Sequence, residues 1–232
     1  MEELLKQIDI RILIDGILGS LFIIATYFGG KILRKIARRL PSGRDEYQIE
    51  EAVKRDMAIF DIVSEIRFVL GGCRSQLLVF HNGSYFSTSH PIWCVDCVVE
   101  SAQLGTSYNM QLLQNLPSGV LLDLLAPFWG DEIDGVLRVD RDKIYTPPDK
   151  GIFWYNTSKM PEGNTKEMLK SHDVDNMLIS PVVDPVDNRV IGMLCVDFCE
   201  PTNLPDRYNE IKNRATTISY KLSTLERNEE NK

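Results

Sequence analysis

MLISPVVDPVDNRVIGMLCVDFC, residues 177–199, decides the fold. Two apolar, β-branched runs, Met177 to Val183 and Arg189 to Cys199, flank DPVDN, a segment of turn-forming residues, so the stretch reads as an antiparallel hairpin. Beyond it the period changes. Tyr208, Ile211, Ala215, Ile218 and Leu222 recur at helical spacing and predict a closing amphipathic helix from about Pro205 to Arg227. Working back along the chain, Gln76 to Phe80 (QLLVF) reads as a buried strand ended by a His81-Asn82-Gly83 turn, and Ile92 to Glu100 (IWCVDCVVE) as a second strand. The Leu-rich segment 107–126, broken by Pro117, predicts two short helices; 127–164, rich in Pro and Gly, predicts short strands and long loops; Thr165 to Ser171 predicts a short helix. From Asp45 to Leu70 the apolar positions Ile49, Val53, Phe60, Val63 and Leu70 suggest an amphipathic helix closed by Gly71-Gly72. Packing on a core and pairing as a dimeric stalk are both open to it. A helix, mostly antiparallel strands with helices inserted between them, a hairpin and a closing helix make an α+β architecture.

The 232 residues are 44% hydrophobic and 25% charged, the composition of an ordinary folded chain with enough length for its own core. The net charge of −7 averages unlike parts. Residues 1–30 hold four acids and two bases; residues 31–44 hold six bases and no acid, which leaves 45–232 at −11. A body so acidic is a poor partner for nucleic acid, whose binding rests on neutralising phosphates, and none is expected.

The uneven charge points to a membrane. A mean hydropathy of −0.14 excludes a polytopic membrane protein and leaves room for one spanning helix. From Ile12 to Gly30 the only charged residue is Asp15, close to one end, and roughly 20 apolar residues suffice to cross a hydrocarbon core. The acidic start MEELLKQID does not resemble a signal peptide. Next comes KILRKIARRL, with Ile32, Ile36 and Leu40 on one helical face and Lys31, Arg34, Lys35, Arg38 and Arg39 available to a membrane surface. By the positive-inside rule this block places the acidic body in the cytoplasm and a short N-terminus outside. Residues 12–30 are thus expected to engage the bilayer, the basic block anionic lipids, and the small-xxx-small pair Gly16 and Ser20 permits a homodimer. The expected organisation is a transmembrane helix in 1–30, a basic juxtamembrane segment in 31–44 and a cytoplasmic domain in 45–232. A reducing cytosol would keep the five cysteines as thiols.

Three pieces of the chain, LLVFHNG (77–83), VIGMLCVDF (190–198) and the helix after it, resemble a GAF domain. The resemblance covers about residues 45–227. It implies a GAF-like sandwich: a sheet of five or six strands with terminal helices on one face and a small-molecule pocket on the other. The FHNG unit, followed by a strand and a glutamate, also resembles small GAF-like proteins of bacteriophages, some of them membrane-anchored. The NKFDE signature of the cyclic-nucleotide-binding members is absent.

If that pocket exists, the face of strand 92–100 carrying Cys94, Asp96 and Glu100 should form its wall, with His81, Asn82, Tyr85 and Trp93 or Trp154 at its rim. Two acids facing one cavity favour a ligand offering donors or positive charge. Zinc is the sharp alternative for Cys94-Val95-Asp96-Cys97 and for Cys195 and Cys199, but on a strand Cys94 and Cys97 point to opposite faces, and Cys195 and Cys199 stand about 13 Å apart. Some GAF-fold enzymes are thiol reductases. Here Asp96 and Glu100 beside Cys94, and Asp197 beside Cys195, would blunt those thiols. His90 and His172 complete the histidines; no nucleophile elbow, phosphate loop or calcium loop accompanies them, and the acids of 131–134 read as a solvated loop. No cofactor or metal is expected. The sequence thus predicts a membrane-tethered, non-catalytic regulatory module that binds a small ligand or a protein partner. The alternatives are an interaction module without a pocket, or a thiol-based reductase.

Overall fold

The computed structural model of the chain describes residues 43–85, 91–140 and 151–230. Helix α1 (Gly43–Leu70) leads into two long strands, β1 (Arg74–Tyr85) and β2 (Pro91–Ala102). A loop and the two-residue strand β3 (Leu116–Pro117) follow, then a 3-10 turn, the one-turn helix α2 (Leu122–Leu125) and a second 3-10 turn ending at Trp129. Strands β4 (Val136–Arg138) and β5 (Phe153–Asn156), helix α3 (Asn164–Ser171), the hairpin β6 (Asn176–Val183) and β7 (Val190–Phe198), and helix α4 (Glu210–Glu230) complete the order. The strands form one seven-stranded antiparallel sheet in the order β3-β2-β1-β7-β6-β5-β4. The hairpin at 177–199 is as expected and lies at the centre, with β7 pairing both β6 and β1. The sheet belongs to a compact unit that runs from residue 54 onward.

Each face of the sheet carries its own core. On the helix face, Ile59, Val63, Ile66 and Leu70 of α1 and Ile211, Ala215 and Ile218 of α4 pack on Leu77, Leu178, Leu194 and Val196. On the other, here the inner face, Leu78, Val95, Cys97, Tyr155, Ile179, Met193 and Cys195 meet Leu121, Leu124, Leu125, Phe128, Met160 and Leu169 from the connecting segments. Burial on both sides explains why β6 and β7 read as continuous apolar runs and not as alternating ones.

Several expectations are corrected. His81-Asn82-Gly83 does not end a strand: β1 continues to Tyr85, and the glycine is accommodated by a register shift between Asn82 and Ser84. The Leu-rich segment forms a loop, 3-10 turns and a single helical turn, because Asn109, Pro117 and Gly119 interrupt any longer helix. In α1, Val63 and Leu70 are buried, but Ile49, Val53 and Phe60 are exposed; the buried stripe is Ile59, Ile62, Val63, Ile66 and Leu70. The cysteines are not all thiols: Cys73, just before β1, and Cys199, just after β7, form a disulfide with a Cα–Cα distance of 6.0 Å. Closing a loop of 126 residues is worth about 4 to 5 kcal/mol in the chain-entropy picture. The expected membrane span 12–30 and basic residues 31–39 lie outside the described residues; among the described residues no helix is long and apolar enough to cross a membrane.

Candidate functional site

The expected wall of one pocket is divided between the two faces of the sheet. Opposite Leu77 and Leu78 of β1, strand β2 contributes Val99 and Cys97, which leaves Val98 as an extra, half-exposed residue in a bulge. One inserted residue reverses the alternation of everything beyond it. Cys94 and Asp96 therefore stay on the helix face, whereas Glu100, paired with Gln76, lies on the inner face. Asp96 meets His81 instead, with His81 Nε2 3.2 Å from Asp96 Oδ1, and also accepts from the Asn115 backbone N–H. Both side chains of this pair are about one-third exposed. Trp93 is half-exposed opposite Asn82, on the inner face, so it does not join His81 and Asp96. Trp154 is buried on the helix face with its ring 5.3 Å from that of Phe198. Asn82 and Tyr85 pair through the backbone with Trp93 and Pro91; their side chains, like His90, lie outside the described residues. Of the four expected site residues whose side chains are described, His81 and Asp96 thus lie on one face and Trp93 and Glu100 on the other.

Glu100 belongs to a buried polar cluster that pattern reading missed. Arg74, 1% exposed, opens β1 on the inner face opposite Asp197 of β7. Its Nε donates to Asp197 Oδ2 at 2.7 Å and stands 3.7 Å from Glu100 Oε1. Its terminal nitrogens donate to the carbonyls of Ser107 and His172 and to the Asn109 side-chain oxygen. Glu100 in turn accepts from Gln76 Nε2 and from the backbone N–H groups of Asn109 and Met110. One guanidinium is thus shared between two buried carboxylates, and Asp197 Oδ1 has no partner. Burial pushes the Asp197 carboxyl upward against the pull of Arg74. The cluster's chief product is mechanical: it staples the loop 103–110 to the sheet. Its sequence signals were a charged residue at the mouth of the apolar run LLVF and the acid in VDF. Register alone makes them partners.

The three remaining cysteines, Cys94, Cys97 and Cys195, are free thiols and all buried. Burial, reinforced by Glu100 and Asp197, pushes the Cys97 thiol up to about 12. Burial and then Asp197 push Cys195 well above the usual thiol range. A thiol held protonated is a poor nucleophile and a poor metal ligand.

Open space on the inner face occurs at its β4 edge. Residues 127–134 and the β4–β5 pair enclose a cleft of about 650 Å3. Its lining combines apolar Pro127, Val136, Leu137 and Phe153 with Asp131, Glu132, Asp134 and Arg138. Gly130 turns the chain there at a φ of 103°, a conformation that favours glycine. Arg138 is fixed by its Nε bond to Asp140 Oδ1 at 3.0 Å, a carboxylate that is itself buried. As expected, 131–134 is a solvated loop with its acids exposed, and it also lines this cleft.

No family model matches this chain, and no curated protein matches it. Solved structures do. The blue-light absorbing form of the Thermosynechococcus elongatus PixJ GAF domain superposes with a TM-score of 0.51 at 17% identity, over 78% of this chain and 92% of that one. The phycoerythrobilin-bound GAF domain of a cyanobacterial phytochrome matches with a TM-score of 0.47 at 16% identity, over 84% and 97%. A chain with one antiparallel sheet, terminal helices on one face and inserted turns on the other has the GAF fold.

Proposed function

We propose that the chain is a GAF-like sensory or regulatory module that binds a small molecule in the cleft at the β4 edge and performs no chemistry on it. The observation that carries this is the cleft itself: about 650 Å3, lined by apolar and charged side chains, on the face that GAF domains use for ligands. The centre of that face is occupied by Leu121, Leu124, Phe128, Tyr155, Met160 and Leu169. A chromophore of bilin size laid across it would have to displace them, so the chemistry of such a group has no part in this proposal. Asp131 and Asp134 on the cleft, against one arginine itself held by Asp140, favour a ligand with a positive charge or several donors and an apolar portion. The non-catalytic part rests on the buried, protonated thiols Cys97 and Cys195.

The test is hydrogen exchange of the full chain with and without a library of small amines, guanidines and neutral metabolites. Binding should slow exchange at 130–138 and 153–155 and leave the His81–Asp96 edge unchanged. Protection at 81–96 instead would return the site to the residues first expected.

Membrane tethering through residues 12–30, with Lys31, Arg34, Lys35, Arg38 and Arg39 against an anionic cytoplasmic leaflet, is proposed on the sequence pattern. A second reading, a protein-interaction module, is favoured by large apolar side chains exposed on β2 and the loop after it: Trp93, Leu104, Tyr108 and Leu112. In that case a partner, and no small molecule, would protect 93–112.

A further inference from the structure

The disulfide sits where covalent chemistry could reach it and where it would matter. Cys73 and Cys199 are each half-buried, whereas the three free thiols are buried. Cys199 lines a small cleft of about 240 Å3 together with Thr157, Ser158, Lys170, Asp173 and Asp175. The bridge joins the residue before β1 to the residue after β7 at the corner that holds the buried cluster. The Cys73 N–H donates to the Asp197 carbonyl at 2.9 Å, and the Cys73 carbonyl accepts from the Gln103 N–H at 2.8 Å. The next residue is Arg74, whose guanidinium holds Ser107 and Asn109. One covalent bond thus braces the strand ends from which residues 103–110 are hung.

We propose that the Cys73–Cys199 bridge is a reversible redox site, opened and closed by exchange with a low-molecular-weight thiol that enters the cleft at Cys199, and that its state sets how firmly residues 103–110 are held. The thiolate of the reagent attacks Cys199 Sγ; a new S–S bond forms, the Cys73–Cys199 bond breaks, and its electron pair leaves on Cys73 Sγ, which takes a proton from water. A second thiolate attacks the reagent's sulfur in the mixed disulfide and releases Cys199. Two reagent thiols are oxidised to their disulfide while the protein gains two electrons and two protons; the same reagent in its disulfide form drives the reverse. The three buried thiols take no part. Chemical access to them is closed by packing, and burial together with nearby carboxylates opposes the ionisation of Cys97 and Cys195.

The experiment uses the full chain in detergent, equilibrated in buffers of reduced and oxidised glutathione, quenched with acid, alkylated and read by mass spectrometry, with hydrogen exchange run in parallel. The expected result is that only Cys73 and Cys199 change between the buffers, labelled after reduced buffer and blocked after oxidised buffer, while the three free thiols are labelled after both. Exchange at the Gln103, Asn109 and Met110 amides should be about tenfold faster in the reduced state. A bridge that survives in the native chain under conditions that reduce it in urea would overturn the proposal, by making it a closed structural link. So would reduction that leaves those three amides unchanged. The wild-type chain supplies both readouts, and the Cys73→Ser/Cys199→Ser chain adds a third: fast exchange in either buffer.

Discussion

Arg74, 1% exposed, bonds Asp197, Ser107, His172 and Asn109 at once. Removing it strands two carboxylates and the loop carbonyls it holds, and breaking a buried ion pair from one side costs about 3–5 kcal/mol. Arg74→Met is therefore expected to lower stability by that amount in urea denaturation, and Arg74→Lys to restore little, because one ammonium cannot span Asp197, Ser107, His172 and Asn109. Adding Asp197→Asn to Arg74→Met should recover part of the loss. If Arg74→Met is neutral, the cluster does not hold the loop. A second position of this kind is Gly192 in β7. A Cβ there would stand 2.3 Å from the Leu78 carbonyl oxygen, a backbone atom that cannot step aside. Gly192→Ala should cost about 1–3 kcal/mol and loosen the β1–β7 pairing, seen as faster amide exchange at Leu78 and Val79.

The bulge at Val98 is the element that most changed the site. Without it, Cys94, Asp96 and Glu100 would share one face; with it, Glu100 crosses to the inner face and reaches Gln76 and the loop. The central hairpin and the closing helix were legible because their patterns are local: turn residues between apolar runs, and a stripe at helical spacing. The bulge was not legible, since Val98 looks like any strand residue and only its partner's register shows the extra position. The HNG motif misled for the related reason that a glycine signals a turn and a bulge equally well. The disulfide partners are 126 residues apart with no spacing rule to link them. The cleft depends on residues 127–134 meeting β4 and β5, which is a matter of tertiary packing. The inner-face thiols of β2 and β7 give a pH test. Cys97 has an ordinary value of 9.0 and is held up to about 12 in the fold, so between those values the unfolded chain loses its proton first. Stability contributed by the neutral thiol is complete below pH 9 and is lost as pH rises toward 12. Cys97→Ala should flatten that alkaline decline in unfolding midpoints, and an equally steep decline in the variant would assign it to other groups.

At the scale of the whole molecule, the acidic domain and the basic block before it are the parts to reconcile with the disulfide. A permanent bridge belongs to an oxidising compartment, whereas bridges in a reducing one are typically transient or redox-sensing. The reversible bridge proposed above is compatible with a domain on the cytoplasmic side, where its resting form would be the dithiol. Deleting residues 1–44 should move the protein from the membrane to the soluble fraction. Val186 lies exposed in the β6–β7 turn. A Val186→Cys chain should be labelled by a membrane-impermeant maleimide only after cells are opened, and labelling of intact cells would reverse the orientation. The central claim is that the cleft at the β4 edge holds a small molecule, and the most direct measurement is ligand-dependent thermal unfolding of the full chain. A bound compound at about 100 times its dissociation constant should stabilise the wild type by about 2.7 kcal/mol. The Asp131→Asn/Asp134→Asn chain, changed only at exposed residues of the cleft, should keep its unliganded midpoint and lose that shift. A library of cationic and neutral metabolites that shifts nothing, or a shift that survives in the double variant, would contradict the account.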